Sequence, residues 1–130
     1  MIIDSSALIA LLRNEPDAEE LVLKMVTAET PLRLSAASYV EVGAVIDSQR
    51  DPILSRRMDE AIRALGIQLE PVSIAQATIA REAYRDFGKG SGHKAALNFG
   101  DCLSYALAKE MGEPLLFKGD DFSHTDLAQN

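Results

Sequence analysis

The sequence contains too few of several residue types to support some classes of protein chemistry. Its 130 residues include one cysteine, Cys102, so no internal disulfide can form, which is typical of a reducing cytoplasm. The two histidines, His93 and His124, lack zinc-ligand spacing to a partner. No glycine-rich stretch resembles a phosphate-binding loop with its lysine, and no apolar run approaches the roughly 18 residues that cross a bilayer. We therefore expect a soluble, cytoplasmic protein with no membrane partner.

Basic residues are also scarce, with 13 Lys and Arg against 20 Asp and Glu and a net charge of −7. Taken alone, this balance argues against a nucleic-acid partner, because phosphate binding usually needs a basic surface. Residues 81–94, "REAYRDFGKGSGHK", are the exception, since four cations there face two acids. These cations are Arg81, Arg85, Lys89 and Lys94. The stretch is either a solvated helix face running into a loop or a phosphate-contacting surface, and its pattern leaves both open.

Short apolar segments alternate with helical segments along the chain, which predicts a single α/β domain over residues 1–130. The predicted strands are "MII", "PLRLSA", "IQLEPV" and "PLLF". Helical periodicity covers the segments between them, including "SIAQATIAREAYRDF" and the strongly apolar "DCLSYALAKEM". Strands separated by helices indicate parallel pairing with right-handed crossovers. The expected fold is a three-layer α/β/α sandwich around a parallel sheet, with ligands at the carboxyl ends of its strands.

Acidic residues occur where those strands are predicted to end. Asp4 ends the first strand, and Glu41 is expected in the first turn of the helix after the second strand. Asp101 opens the apolar helix, and Asp120 and Asp121 follow the last strand. In a parallel sheet these positions all face one edge, so the sequence predicts that four segments bring carboxylates together.

Each acid also has a simpler explanation as a helix cap or turn residue. Ser38-x-x-Glu41 and Asn98-x-x-Asp101 both have the spacing of a capping box, and Asp4 could cap the first helix. Carboxylates that converge on one edge repel each other, however, and no cap requires convergence. A hard divalent cation such as Mg²⁺ does require it, and could bridge to a phosphodiester and lower the pKa of an attacking water. Ser6 could orient such a metal shell or cap the first helix.

Four stretches carry a resemblance to a known family: "MIIDSSALIALL", "SAASYVEVGAVI", "FGDCLSYALAKE" and "PLLFKGDDFSHTDL". In this order and spacing the chain resembles PIN-domain proteins, and specifically VapC-type toxins of toxin–antitoxin pairs. The resemblance covers essentially the whole chain. The one small departure is "DSS" in the first motif, where "DTS" or "DTN" is commoner.

The resemblance implies a PIN-like fold and an Mg²⁺- or Mn²⁺-dependent endoribonuclease. The family's acids fall on Asp4, Glu41, Asp101 and Asp121, with Asp120 as the alternative for the fourth. Asp4, Asp101 and Asp121 would hold metal, and Glu41 would hold a second metal or orient the water. The implied partners are an RNA substrate, a VapB-type antitoxin that blocks the acidic cleft, and a second copy of the chain in a homodimer.

The competing hypothesis is a signalling domain of the phosphoacceptor, receiver-like kind, which also binds Mg²⁺ at strand ends. Such a domain needs an acceptor aspartate on the third strand, where "IQLEPV" offers only Glu70. An aspartyl phosphatase would need an acid where Ser6 stands. Cys102 lies within the apolar helix, and we interpret it as a core residue rather than a nucleophile.

Overall fold

The computed structural model describes residues 1–127. Within these residues, four strands and six helices follow in chain order. They are β1 (Ile2–Ile3), α1 (Ser5–Leu12), α2 (Ala18–Val26), β2 (Arg33–Ser35), α3 (Ala36–Asp47), α4 (Pro52–Ala64), β3 (Gln68–Glu70), α5 (Ile74–Phe87), α6 (Phe99–Met111) and β4 (Leu115–Leu116). No helix within this range is both long enough and apolar enough to span a membrane.

The strands form one parallel sheet in the order β3-β2-β1-β4. Side chains of a strand alternate between the two faces, so Ile3 packs with α1, α2, α3 and α4, while Ile2 packs with α5 and α6. Both isoleucines are completely buried. Two apolar cores therefore sandwich the sheet, and the predicted three-layer α/β/α fold is confirmed.

Local sequence signals explain most of the helix ends. Ser73 caps α5 by accepting a hydrogen bond from the Gln76 amide, as its position before an apolar helical run predicts. Asp51 caps α4 in the same way, with Pro52 at the first helical position. Gly112 ends α6 in the left-handed conformation that favours glycine.

The start of α3 differs from our prediction. Ser35 is its N-cap and accepts a hydrogen bond from the Ala37 amide at 3.2 Å, so the helix begins at Ala36. Ser38 and Glu41 therefore do not form a capping box, and Glu41 lies in the second turn. The strand runs directly into the helix here, because a serine inside "PLRLSA" takes the capping role.

Candidate functional site

Asp4 lies at the carboxyl end of β1, where the central strand passes into α1. It is the N-cap of α1, and its Oδ2 accepts hydrogen bonds from the Ser6 amide at 3.0 Å and from the Ser6 hydroxyl at 2.6 Å. Its side chain is nearly inaccessible, at 3% exposure. Burial raises the pKa of the Asp4 carboxyl, against hydrogen bonds from Ser104 and Ser6 that lower it.

Asp101 lies in the first turn of α6 and completes a capping box with Asn98. The Asp101 amide donates to Asn98 Oδ1 at 2.8 Å, and the Asn98 amide donates to Asp101 Oδ2 at 2.9 Å. The simpler explanation of Asp4 and Asp101 as caps is therefore correct for both. It does not exclude a second role, since the caps also fix both carboxylates at the same edge of the sheet.

The electrostatics of Asp101 link it to the other predicted acids. Burial, together with the negative charges of Asp4, Asp121 and Glu41, raises the pKa of Asp101 to about 7, although the Asn98 amide bond acts in the opposite direction. The structure thus places Asp4, Glu41 and Asp121 close enough for their charges to act on Asp101. This edge of the sheet therefore concentrates negative charge.

Glu41 reaches this cluster because α6 has a glycine opposite it. Gly100 packs directly against the Glu41 carboxylate, and a Cβ at that position would overlap the Glu41 side chain. Glu41 itself is half-buried. The close approach of α3 and α6 therefore depends on the absence of a side chain next to Asp101.

Asp120 and Asp121 lie in the turn after β4, and both are exposed. The following residue, Phe122, is 1% exposed and packs in the core beneath α6, edge-on to Phe117. This anchor fixes the end of the turn. The charge of Asp121 contributes to the raised pKa of Asp101, so the electrostatics favour Asp121 as the fourth acid.

The donor chemistry of the cluster suits a hard divalent cation. Within residues 1–127, no three Asp, Glu, His or Cys side chains are close enough together to enclose a metal ion as they stand. Mg²⁺ does not need such an enclosure, because it is commonly held by one or two carboxylates and keeps several waters. Carboxylate oxygens gathered around Asp101 at this edge of the sheet therefore fit Mg²⁺ or Mn²⁺.

Sequence reasoning missed two buried hydroxyls beside the cluster. Ser104 is completely buried and its hydroxyl lies 3.3 Å from that of Ser38, while its bond to Asp4 lowers the pKa of that carboxyl. The sequence spacing could have indicated both serines, since Ser104 is three residues after Asp101 and Ser38 is three residues before Glu41. Residues three apart share a helix face, so each serine lies beside an acid.

Cys102 is buried in the core between α5 and α6, at 2% exposure. Burial and the neighbouring Asp101 charge raise the pKa of its thiol to about 11, which leaves it protonated and unreactive at neutral pH. The interpretation as a core residue is confirmed.

The structure leaves the role of the basic stretch open. Arg81 and Arg85 are exposed on α5, and Lys89 and Lys94 are exposed in the 88–98 connection that leads into α6. The Arg85 guanidinium pairs with Asp86 at 2.9 Å, which offsets part of its charge. The prediction that these residues contact RNA stays a prediction.

Comparison with known proteins places the chain in a family. The PIN domain model matches residues 1–127. Ribonuclease VapC28 of Mycobacterium tuberculosis is 58% identical over 125 residues, which cover 96% of this chain and 93% of the relative. Ribonuclease VapC42 of the same species is 49% identical over 128 residues, which cover 98% and 96%.

Solved structures share the fold at low sequence identity. The VapC20 toxin of Mycobacterium tuberculosis, described as cleaving the sarcin–ricin loop, superposes with a TM-score of 0.75 at 13% identity and covers 98% of this chain and 95% of its own. VapBC2 of Rickettsia felis, bound to promoter DNA, gives a TM-score of 0.76 at 10% identity with 99% and 96% coverage. The signalling-domain alternative is set aside, because the chain belongs to the PIN-domain family, among the VapC-type ribonucleases of toxin–antitoxin systems.

Proposed function

We propose that the chain is an Mg²⁺- or Mn²⁺-dependent endoribonuclease that cleaves cellular RNA as the toxin of a VapBC-type pair. The observation that carries this proposal is the position of Asp101, a buried carboxylate surrounded by the charges of three further acids. Such a cluster disfavours its own ionisation unless a cation neutralises it. Membership among VapC-type ribonucleases supports RNA as the substrate.

Asp4, Asp101 and Asp121 are the residues that hold the metal in this proposal, directly or through water. When bound, a divalent ion supplies a Lewis acid for the phosphate and lowers the pKa of the attacking water. Glu41 orients that water or takes part in a second metal site. Ser6 and Ser104 keep Asp4 in one orientation through their hydrogen bonds. Asp120 remains the secondary candidate for the fourth acid.

The basic stretch supplies the contacts to RNA phosphates. Its exposed cations precede Asn98 and Asp101 in the chain, so a phosphate backbone that reaches the acids passes close to the 88–98 connection. An acidic protein needs such a local surface to hold a polyanion. Lys89 and Lys94 are the stronger candidates, because Arg85 is already paired with Asp86.

The test of catalysis is RNA cleavage by purified protein with Mg²⁺, with Mn²⁺ and with a chelator. Asp101→Asn keeps a capping side chain but removes a charge, so we expect cleavage to fall at least about 100-fold while the fold survives. Asp59→Asn on α4 is the matched control, since it removes the same charge from an exposed position outside the cluster. Full activity of a well-folded Asp101→Asn variant, or full activity in chelator, contradicts the proposal.

The antitoxin is proposed to block the cluster with a cation. A guanidinium group pairs with carboxylates through two hydrogen bonds, so an arginine near Asp4, Asp101 and Asp121 would replace the metal charge. Structural neighbours that are toxin–antitoxin assemblies support a protein partner of this kind. The inhibited complex should then bind Mg²⁺ more weakly than the free toxin, which isothermal titration measures directly.

We also propose that the protein is a homodimer that forms through the outer face of α5 and α6. Phe99 is 76% exposed and Tyr84 46% exposed on this face, and both border an apolar groove of about 470 Å³. A face that carries both a projecting ring and a groove can match a second copy of itself across a two-fold axis. Light scattering should give twice the chain mass, and Phe99→Glu should halve it.

A further inference from the structure

Lys118 connects the turn after β4 to the acid at the end of β1. Its backbone amide donates to the Ser6 hydroxyl oxygen at 3.0 Å, and the same hydroxyl donates to Asp4 Oδ2 at 2.6 Å. The Ser6 hydroxyl therefore donates its only proton to Asp4. Its oxygen accepts the hydrogen bond from the backbone amide of Lys118, which lies three residues before Asp121. One hydroxyl thus joins two of the acid-bearing segments.

The side chain of Lys118 reaches in a different direction, to the connection between α1 and α2. Its ammonium group lies 2.6 Å from Glu15 Oε1 and 3.3 Å from Asp17 Oδ1. All three side chains are about one-third exposed, so these contacts are partly shielded from solvent. The turn after β4 is therefore held at Lys118 from two sides, by its backbone and by its side chain.

Asp17 shows that this contact differs from an incidental surface pair. It occupies the N-cap position of α2 but makes no side-chain capping hydrogen bond. Within residues 1–127, its Oδ1 is buried and lacks a hydrogen-bond partner, and the ammonium group of Lys118 is the cation next to it. An aspartate at this position usually binds the amides of its own helix. Here its carboxylate is directed toward Lys118 instead.

We propose that Lys118 is a positioning residue that clamps the 117–121 turn against the α1–α2 connection and so keeps Asp121 facing Asp4 and Asp101. The inference rests on the proposed metal-dependent function. Phe122 anchors one end of the turn in the core, and the clamp anchors the other end. Asp121 itself is exposed, so its position depends on these two anchors.

The test uses Mn²⁺ as the probe and measures its equilibrium affinity by electron paramagnetic resonance, independently of catalysis. Lys118→Met keeps most of the unbranched side chain but removes its charge, and Glu15→Gln with Asp17→Asn removes the clamp from the other side. Substitution of residues that orient metal ligands typically lowers metal affinity by about 10–100-fold, so we expect both variants to bind Mn²⁺ about tenfold more weakly. Combining them should add little, because they break the same contact.

The Mn²⁺ concentration that gives half-maximal RNA cleavage is a second readout, and a purely structural role of Lys118 would not change it. Each variant should need more Mn²⁺ for half-maximal cleavage and should recover most of its rate when Mn²⁺ saturates. Lys24→Met is the matched control, since it removes a lysine charge from the neighbouring helix α2, where Lys24 pairs with Glu20. That control should keep the wild-type Mn²⁺ affinity.

The opposite result distinguishes a lysine that contacts RNA directly. In that case Lys118→Met would weaken RNA binding. Glu15→Gln with Asp17→Asn would release the lysine and so strengthen RNA binding, and the Mn²⁺ affinity would be unchanged in both variants. That pattern overturns the clamp, as does equal Mn²⁺ affinity in wild type and all variants. Failure of the wild type to bind Mn²⁺ at all contradicts the proposed metal-dependent function instead.

Discussion

Asp4 shows at the scale of one residue that a helix cap and a functional acid are compatible. Its carboxylate caps α1 through the Ser6 amide, yet it is also buried and contributes to the raised pKa of Asp101. The position of Asp4 by itself did not separate the two roles, because both place an aspartate at the junction of a strand and a helix; only the convergence of several acids favoured a metal site. Helical spacing places Ser104 beside Asp101 and Ser38 beside Glu41, but the contact between the two hydroxyls and the bond from Ser104 to Asp4 depend on how three helices pack together.

Asp4→Asn separates the two roles, because asparagine caps helices about as well as aspartate but lacks the charge. In chelator we expect the variant to melt at the same temperature as the wild type or higher, since one repelling charge is removed. Millimolar Mg²⁺ should raise the melting temperature of the wild type much more than that of the variant, through linkage to binding. Thermal unfolding with and without Mg²⁺ measures both effects, and equal Mg²⁺ shifts would show that Asp4 is not a ligand.

Asp101 should make the metal-free protein less stable as pH rises. Its pKa is about 7 in the folded protein against an ordinary value of 3.8, so between these values the folded state binds a proton that the unfolded state has lost. The free energy of unfolding therefore falls as pH rises from about 4 to about 7, and the loss is complete above 7.

Asp101→Asn lacks this titration and is the test of it. In chelator, the variant should be more stable than the wild type by about 1–3 kcal/mol at pH 8, allowing for solvent screening of the partly accessible site. The difference should shrink toward zero near pH 4. Urea unfolding at a series of pH values measures it, and a difference that does not vary with pH would refute the raised pKa.

At the scale of elements, the contact between α3 and α6 decides whether Glu41 joins the cluster. The sequence predicts both helices, but it misplaced Glu41 in the first turn because Ser38 mimics a capping residue. The close packing of Glu41 on Gly100 could not be inferred, since "FGDC" reads equally well as an ordinary helix start. The contact between α3 and α6 depends on how the two helices pack in the folded chain, and no local sequence pattern encodes that packing.

Gly100→Ala should therefore impair function more than stability. The new methyl group would displace the Glu41 carboxylate, a flexible side-chain end, and alanine favours the helical backbone by up to about 1 kcal/mol over glycine. We expect a melting temperature close to that of the wild type but RNA cleavage reduced about tenfold or more.

Gly43→Ala on α3 is the control for this substitution. A Cβ there would come no closer than 3.9 Å to its neighbours, so activity should be unchanged and stability equal or higher. Equal activity of the Gly100→Ala and Gly43→Ala variants would show that the position of Glu41 does not matter for cleavage.

At the scale of the whole molecule, the alternating pattern was enough to predict a parallel α/β/α sandwich and the edge at which its acids gather. Short, wholly apolar strands such as "MII" and "PLLF" are typical of a parallel sheet that is covered on both faces. Helices between successive parallel strands form right-handed crossovers. Pattern and composition give less information about surfaces. The overall charge of −7 argues against RNA binding, while the basic stretch at residues 81–94 argues for it, so only a measurement decides.

That measurement is the salt dependence of RNA binding in an Asp101→Asn background, which keeps the RNA intact. Removing a single lysine–phosphate interaction should lower the slope of log affinity against log salt by about 0.7–1. Lys89→Ala with Lys94→Ala should therefore weaken binding and reduce the slope by about 1.4–2 if both side chains bind phosphates. Arg56→Ala with Arg57→Ala removes the same charge from α4, in the opposite helical layer, and controls for net charge. If both double variants lose affinity equally, the effect comes from net charge, and the loop before α6 is a solvated surface rather than the path of the RNA.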